Sequence, residues 1–218
     1  MKAITLWGAE TPRSLRPIWL AEELGLVYDL HPIGPRTGET QTSEYKALNP
    51  KQKIPFLEDG ETRLSESLAI CRYLLSRYAH ETVFLPDTID SKAKEDEWCC
   101  YIYGELDETS LYVMRRHGDL ADIYGDSEVA VSAAKDYLKR HLAVIDQYLQ
   151  GRDHIMEQGF SLPDILLTTC LDWALFYGIE LPGEISRYRD QIAQRPAYQK
   201  AMQVNYAKLF GEQNNGTA

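Results

Sequence analysis

Glu66-Ser67 stands at the head of an apolar helical run that begins Leu68-Ala69-Ile70, a few residues after the stretch Asn49-Pro50-Lys51-Gln52-Lys53-Ile54-Pro55-Phe56-Leu57-Glu58-Asp59-Gly60. These residue types describe an anion-binding site. The first N–H groups of a helix lack intrahelical partners and carry the positive end of its dipole, so a helix opening at Glu66 and Ser67 favours a ligand carboxylate. Pro55 has no N–H for a sheet ladder, which at the first position of a strand places it at a sheet edge. The Ile54-Pro55 bond is a candidate for the cis isomer, and the backbone of Ile54 is then open to an extended peptide ligand. Acidic and hydroxyl residues in a first turn also cap helices without any ligand. The nearby Ile54-Pro55 favours the ligand.

Lys2 to Trp7 reads as a strand and Ser14 to Leu24 as a helix with Gly25 as its C-cap. Val27 to Ile33 reads as a second strand, parallel to the first because a helix crosses between them. Gly34 to Ser43 is a Gly/Pro/Thr-rich loop. Strands over Pro55 to Glu58 and Arg63 to Ser65 are joined antiparallel by Asp59-Gly60, and a helix runs from Glu66 to Tyr78. The stretch His80 to Asp90 carries Pro86 and no sustained period, which marks a linker. Beyond it the strand signal fades. Helices are expected over Lys92 to Arg116, Ser127 to Leu149, Pro163 to Tyr177, Gly183 to Ile192 and Ala197 to Leu209, and Gly211 to Ala218 reads as a frayed polar tail. The expected organisation is an α/β domain over residues 1–80, a linker over 81–90 and an all-α domain over 91–218.

At 218 residues with 44% hydrophobic residues, the chain can fill a core in one large domain or two smaller ones. No apolar run is long enough to span a bilayer, and the N-terminus lacks the basic and apolar regions of a signal peptide, so a cytoplasmic protein is expected. Residues 1–80 hold 10 basic and 10 acidic side chains, whereas residues 81–218 hold 13 and 23, so the net charge of -10 lies wholly in the second part. Such a surface repels nucleic acid and anionic membranes. The neutral first part, with Arg13, Arg16, Lys51 and Lys53 near the proposed site, still suits an anionic small ligand. Cys71, Cys99, Cys100 and Cys170 have no C-x-x-C spacing and lie in apolar helical patterns. They are expected to pack as reduced thiols with neither disulfide nor metal.

The segment Asn49 to Pro55, the Asp59-Gly60 turn and the pair Glu66-Ser67 resemble the glutathione-binding half of the glutathione S-transferase superfamily. Far downstream, Phe160-Ser161-Leu162-Pro163-Asp164-Ile165 is similar to that family's capping box, with Ser161 and Asp164 in the reciprocal positions. The two matches stand in the family's order and the resemblance covers almost the whole chain. It implies a thioredoxin-like N-terminal domain of order βαβ-α-ββα, an all-helical C-terminal domain, and a homodimer. It also implies glutathione as co-substrate, with Glu66 and Ser67 gripping its γ-glutamyl end, Ile54 and Pro55 pairing with its cysteinyl part and Lys53 approaching its cysteinyl-glycine portion.

In that family the reactive species is the glutathione thiolate, because a free thiol is mostly protonated near neutral pH. A hydroxyl, a helix N-terminus and a nearby cation all stabilise a sulfur anion, and the turn Gly8-Ala9-Glu10-Thr11-Pro12-Arg13-Ser14 offers all three. Thr11-Pro12-Arg13 is similar to the Thr-Pro-Asn of bacterial nu-class members. The same turn aligns with the beta class, placing Arg13 at that class's cysteine and Ser14 at the serine that follows. Thr11 is the first choice as thiolate donor, Ser14 the second and Arg13 a supporting cation, while Ser14 also suits the N-cap of the first helix. The absence of a tyrosine or cysteine in this turn argues against the chemistry of the classes that carry one. The resemblance further implies a small electrophile, or a disulfide or peroxide, bound against the helix carrying Tyr101, Tyr103, Leu111, Tyr112, Met114, Arg115 and Arg116. A binding protein without turnover is the alternative that the fold leaves open.

Overall fold

The computed structural model describes residues 4–209, which fall into two compact units. Lys2 and Ala3, at the start of the expected first strand, and the polar tail Gly211 to Ala218 lie outside the described residues. One unit holds the described residues up to Leu85 together with those from Gln194 onward, and the other spans Pro86–Ala193.

The first unit is built on β1 (Ile4–Trp7), α1 (Pro12–Glu23), β2 (Tyr28–His31), α2 (Ser43–Leu48), β3 (Phe56–Asp59), β4 (Thr62–Ser65) and α3 (Ser67–Arg77). This is the thioredoxin-like order βαβ-α-ββα. The sheet runs β2-β1-β3-β4. β1 and β2 are parallel, with Ile4 opposite Tyr28 and Trp7 opposite His31, as a helical crossover requires. β3 lies antiparallel to β1 and to β4, and Gly60 closes the hairpin at φ 60°. Leu6 and Leu57 meet in register and are buried, together with Leu15, Ile18 and Trp19 of α1 and Ile70, Cys71 and Leu74 of α3.

Two local expectations change. Pro55 does not open a strand at the sheet edge: it stands just before β3, an interior strand paired on both sides. Lacking an N–H, it marks where the ladder stops instead of occupying it. The N-cap of α1 is Thr11 and not Ser14. Thr11 is extended at φ -134° and ψ 152°, its hydroxyl accepts from the Ser14 N–H, and Pro12 takes the first helical position, where a missing N–H costs nothing.

A last helix, α10 (Pro196–Asn205, numbered after the six helices of the second unit), belongs to the first unit and packs on α1. The helical region expected over 91–218 is thus shared between the units. Glu23, buried on α1, is held by a bidentate pair with Arg195 at 2.7 and 2.8 Å and by the Trp19 indole N–H at 2.9 Å. Tyr198 packs edge-on against Trp19.

The second unit is all-helical: α4 (Ile89–Tyr101), a π-helical stretch Ile102–Leu111, α5 (Tyr112–His117), α6 (Ala121–Tyr124), α7 (Glu128–Tyr148), α8 (Leu162–Phe176) and α9 (Gly183–Ala193). The expected single helix over Lys92 to Arg116 is therefore interrupted by wider winding. α8 is buried along most of its length, and the box at its start is complete. The Asp164 carboxylate accepts from the Ser161 N–H, the Ser161 hydroxyl and the Ile155 N–H, each at 2.8 Å, and from the Tyr188 hydroxyl at 2.6 Å. Burial and that carboxylate hold the Tyr188 phenol well above its ordinary pKa, which keeps it a donor.

Candidate functional site

The turn between β1 and α1 carries the first group of side chains. Thr11 Oγ1 accepts the Ser14 N–H at 2.9 Å, and the two hydroxyl oxygens lie 2.7 Å apart. Only one proton fits between two oxygens at that separation, so the second hydroxyl proton of the pair points to another acceptor. Ser14 is fully buried and Thr11 is 8% exposed, which makes Thr11 the outward member. Arg13 is half-buried in the first turn of α1.

Gly8 joins this turn to the segment before β3. Its φ of 112° suits glycine alone, and a Cβ there would lie 2.6 Å from Ile54 Cβ and 3.2 Å from Ser14 Oγ. Ile54 and Ser14 therefore flank the same backbone point. The Ile54-Pro55 bond is cis. The approach to it is fixed from below, since the Lys53 carbonyl accepts from the Tyr45 hydroxyl at 2.7 Å and the Asn49 amide at 2.8 Å. The Lys53 side chain is exposed.

At α3, Glu66 is the N-cap residue with φ 74° and ψ 117°, a conformation that costs a non-glycine residue about 1–3 kcal/mol. Its carboxylate pairs with Lys51 at 3.0 Å, both side chains half exposed, so the pair itself adds little stability. Ser67 is buried at the first helical position. Its Oγ accepts from Arg16 Nη1 at 3.2 Å, and Arg16 is fully buried on α1. With one lone pair taken by a guanidinium, the Ser67 hydroxyl is biased to act as a donor. Burial pushes the thiol of Cys71, one turn further along α3, up to about 12 even though Arg16 pulls it down.

The structure brings Ser14 and Ile54 against Gly8, with Thr11 bonded to Ser14 and Pro55 following Ile54, and links Ser67 to α1 through Arg16. Lys53 enters through its carbonyl, and Glu66 through the cap. Sequence reasoning placed Arg16 near the site without giving it this role. Its signal was a cation set among Leu15, Ile18 and Trp19, where an unpaired charge is costly. The cap was legible too, as a hydroxyl directly before a proline.

The expected electrophile contacts divide. Leu111 and Met114 are buried. The Tyr101 hydroxyl lies 2.7 Å from His141 Nδ1, and Arg116 stacks over Tyr112 and Tyr124. Cys71, Cys99 and Cys170 are buried, whereas Cys100 is exposed and does not pack as expected. No described helix is long and apolar enough to cross a membrane.

Comparison with known proteins identifies the family. Residues 2–76 match the family described as glutathione S-transferase, N-terminal domain, and residues 101–196 match glutathione S-transferase, C-terminal domain. Glutathione S-transferase GstA of Escherichia coli O157:H7 is 29% identical over 169 residues, 76% of this chain and 80% of that protein. Glutathione S-transferase theta-1 of Rattus norvegicus is 24% identical over 152 residues, 68% of this chain and 63% of that protein. Among solved structures, the theta-class glutathione S-transferase of Xanthomonas axonopodis pv. citri, with glutathione bound, superposes with a TM-score of 0.78 at 28% identity, covering 92% of this chain and 97% of that one. A glutathione transferase from Pseudomonas putida, with glutathione disulfide bound, has the same fold at 22% identity, with a TM-score of 0.81 over 93% of this chain and 92% of that one. The chain belongs to the glutathione S-transferase superfamily.

Proposed function

We propose that this protein is a glutathione transferase that binds glutathione in its first unit, stabilises the thiolate through Thr11 and transfers it to a small electrophile. The observation that carries this reading is the paired hydroxyls of Thr11 and Ser14 at the N-terminus of α1. Ser14 donates to Thr11, and Thr11, the more exposed of the two, donates to the sulfur. The thiol proton leaves to solvent, the sulfur lone pair forms the new bond to the electrophilic atom, and the leaving group departs with its bonding electrons. Arg13 and the N-terminus of α1 add positive potential. Ser67 donates to the γ-glutamyl carboxylate with Arg16 behind it, Glu66 faces the ammonium group, and the backbone at Ile54-Pro55 pairs with the cysteinyl part beside Lys53. No metal is needed. The same reading makes the protein a cytoplasmic, homodimeric detoxification enzyme, and sedimentation velocity checks its assembly.

The test is calorimetry with glutathione, glutathione disulfide and S-methylglutathione, then turnover with halonitroarenes, peroxides and mixed disulfides. Thr11→Ala is expected to raise the pKa of the bound thiol and slow transfer near neutral pH while S-methylglutathione still binds. Tighter binding of the disulfide form together with turnover of mixed disulfides replaces transfer by reduction. Binding without turnover leaves a partner protein, and no glutathione binding at all overturns the reading.

A further inference from the structure

Three backbone N–H groups in succession leave the turn before α1, and each is taken by a carbonyl from elsewhere. Gly8 donates to His31 at 2.9 Å and Ala9 to Ile33 at 3.0 Å, both from the neighbouring strand and the loop after it. Glu10 donates at 2.9 Å to the carbonyl of Asn205, the last residue of α10. The amide Nδ2 of the same Asn205 donates at 3.2 Å to the carbonyl of Thr11, which also accepts the first helical bond from Leu15. Asn205 therefore grips both sides of the Glu10-Thr11 link. Asn205 is 1% exposed, and its Oδ1 is buried with no hydrogen-bond partner among the described residues. That amide orientation is fixed, because the opposite one would set Oδ1 against the Thr11 carbonyl oxygen. Glu10 is itself held at φ 64°, which a non-glycine residue keeps only where its surroundings over-determine it. Lys208 pairs with the Glu10 carboxylate at 2.6 Å on the exposed side.

We infer that Asn205 is a positioning residue for glutathione activation: by clamping Glu10 and Thr11 it aims the Thr11 hydroxyl and so sets the pKa of the bound thiol. This rests on the proposed role of Thr11. A hydroxyl stabilises a thiolate only along a narrow range of directions, and the direction here is inherited from the backbone that Asn205 holds. The backbone carbonyl of residue 205 survives any substitution, so variants test the amide half of the clamp.

The deciding variant is Asn205→Leu, which keeps the branched side-chain skeleton and removes both the donor and the unpaired oxygen. Ultraviolet titration of the thiolate in the glutathione complex is expected to show a pKa higher by about 0.5 unit or more than in the wild type. Turnover near neutral pH falls about threefold, recovers above the new pKa, and affinity for S-methylglutathione stays within about twofold. Asn205→Ala is measured alongside, and if it fails to fold the leucine variant alone decides. A merely structural Asn205 lowers the melting temperature and leaves the titration untouched, and that result overturns the inference. A wild-type complex whose thiol titrates like free glutathione overturns the Thr11 reading itself, and this inference with it.

Discussion

Ser67 accepts a hydrogen bond from a buried guanidinium, and that contact decides what its loss should do. On the proposed role of Ser67, Ser67→Ala should take from the ligand carboxylate a charge-assisted donor worth about 1.5–3 kcal/mol, a weakening of roughly 10- to 150-fold in glutathione affinity. Arg16 also loses one acceptor, so the melting temperature falls as well. Calorimetry with S-methylglutathione reads the first effect free of the thiol, and unchanged affinity would remove Ser67 from the site. The cysteines give a second check at this scale. The Cys71 thiol, pushed up to about 12 by burial, stays protonated at neutral pH, whereas Cys100 is exposed. Alkylation of the native protein followed by peptide mapping should label Cys100, with Cys71, Cys99 and Cys170 labelled only after unfolding; fast native labelling of Cys71 would contradict its burial. Single residues with strong backbone signatures were legible in the sequence: the cis bond before Pro55, Gly60 in its turn, Ser161 and Asp164 in their box. Thr11 and Ser14 were legible as a pair of hydroxyls, but the N-cap of α1 falls to Thr11 instead of Ser14, because a hydroxyl's partner depends on a backbone path that one residue type does not specify.

Between elements, the tightest dependence is the approach of the β1-α1 turn to the segment before β3, which passes over Gly8. In Gly8→Ala the added methyl would sit 2.6 Å from Ile54 Cβ, both non-flexible ends, on a backbone at φ 112°. Overpacking of this kind costs about 1–3 kcal/mol, with further strain from the left-handed backbone. Urea denaturation should show that loss, and glutathione binding should weaken further because Ile54 is the atom group that must move; a variant as stable as the wild type would show that the segment yields freely. Helix and strand order in both units followed from periodicity and breakers. The π-helical stretch did not. Its buried positions Ile102, Leu106 and Leu111 are spaced by four and five residues, which an α-helix also tolerates, and the wider winding shows only in the backbone, where the Tyr112 N–H donates to the Asp107 carbonyl five residues back. α2 was expected only from the family's element order: Ser43–Leu48 is too short to show a period, and Thr42 caps it without an apolar run behind it.

Over the whole chain, the path leaves the first unit at Leu85 and returns at Gln194, so residues far apart in sequence share one core. No local pattern announces that return, because Trp19, Glu23 and Tyr198 read as ordinary helical residues and Arg195 as part of a break between two helices, until Glu23 and Arg195, 172 positions apart, are seen paired. The Glu23 side chain is 5% exposed and that of Arg195 is 26% exposed. Removing the guanidinium leaves a buried carboxylate whose remaining side-chain partner among the described residues is the Trp19 indole, whereas removing both charges takes the desolvation cost away with them. Arg195→Ala should therefore destabilise the first unit by about 2–4 kcal/mol, discounted from a fully buried pair because Arg195 meets solvent. Arg195→Ala combined with Glu23→Leu should recover part of that loss, which makes the coupling energy measurable as a double-mutant cycle in urea. Because α10 and α1 are packed in one unit, their amides should also exchange hydrogen as one cooperative block and lose protection together in Arg195→Ala. If α10 exchanges freely while α1 stays protected, the C-terminal helix is an ornament on the first unit; if the two decay together, the end of the chain is part of the core that holds the turn at Thr11.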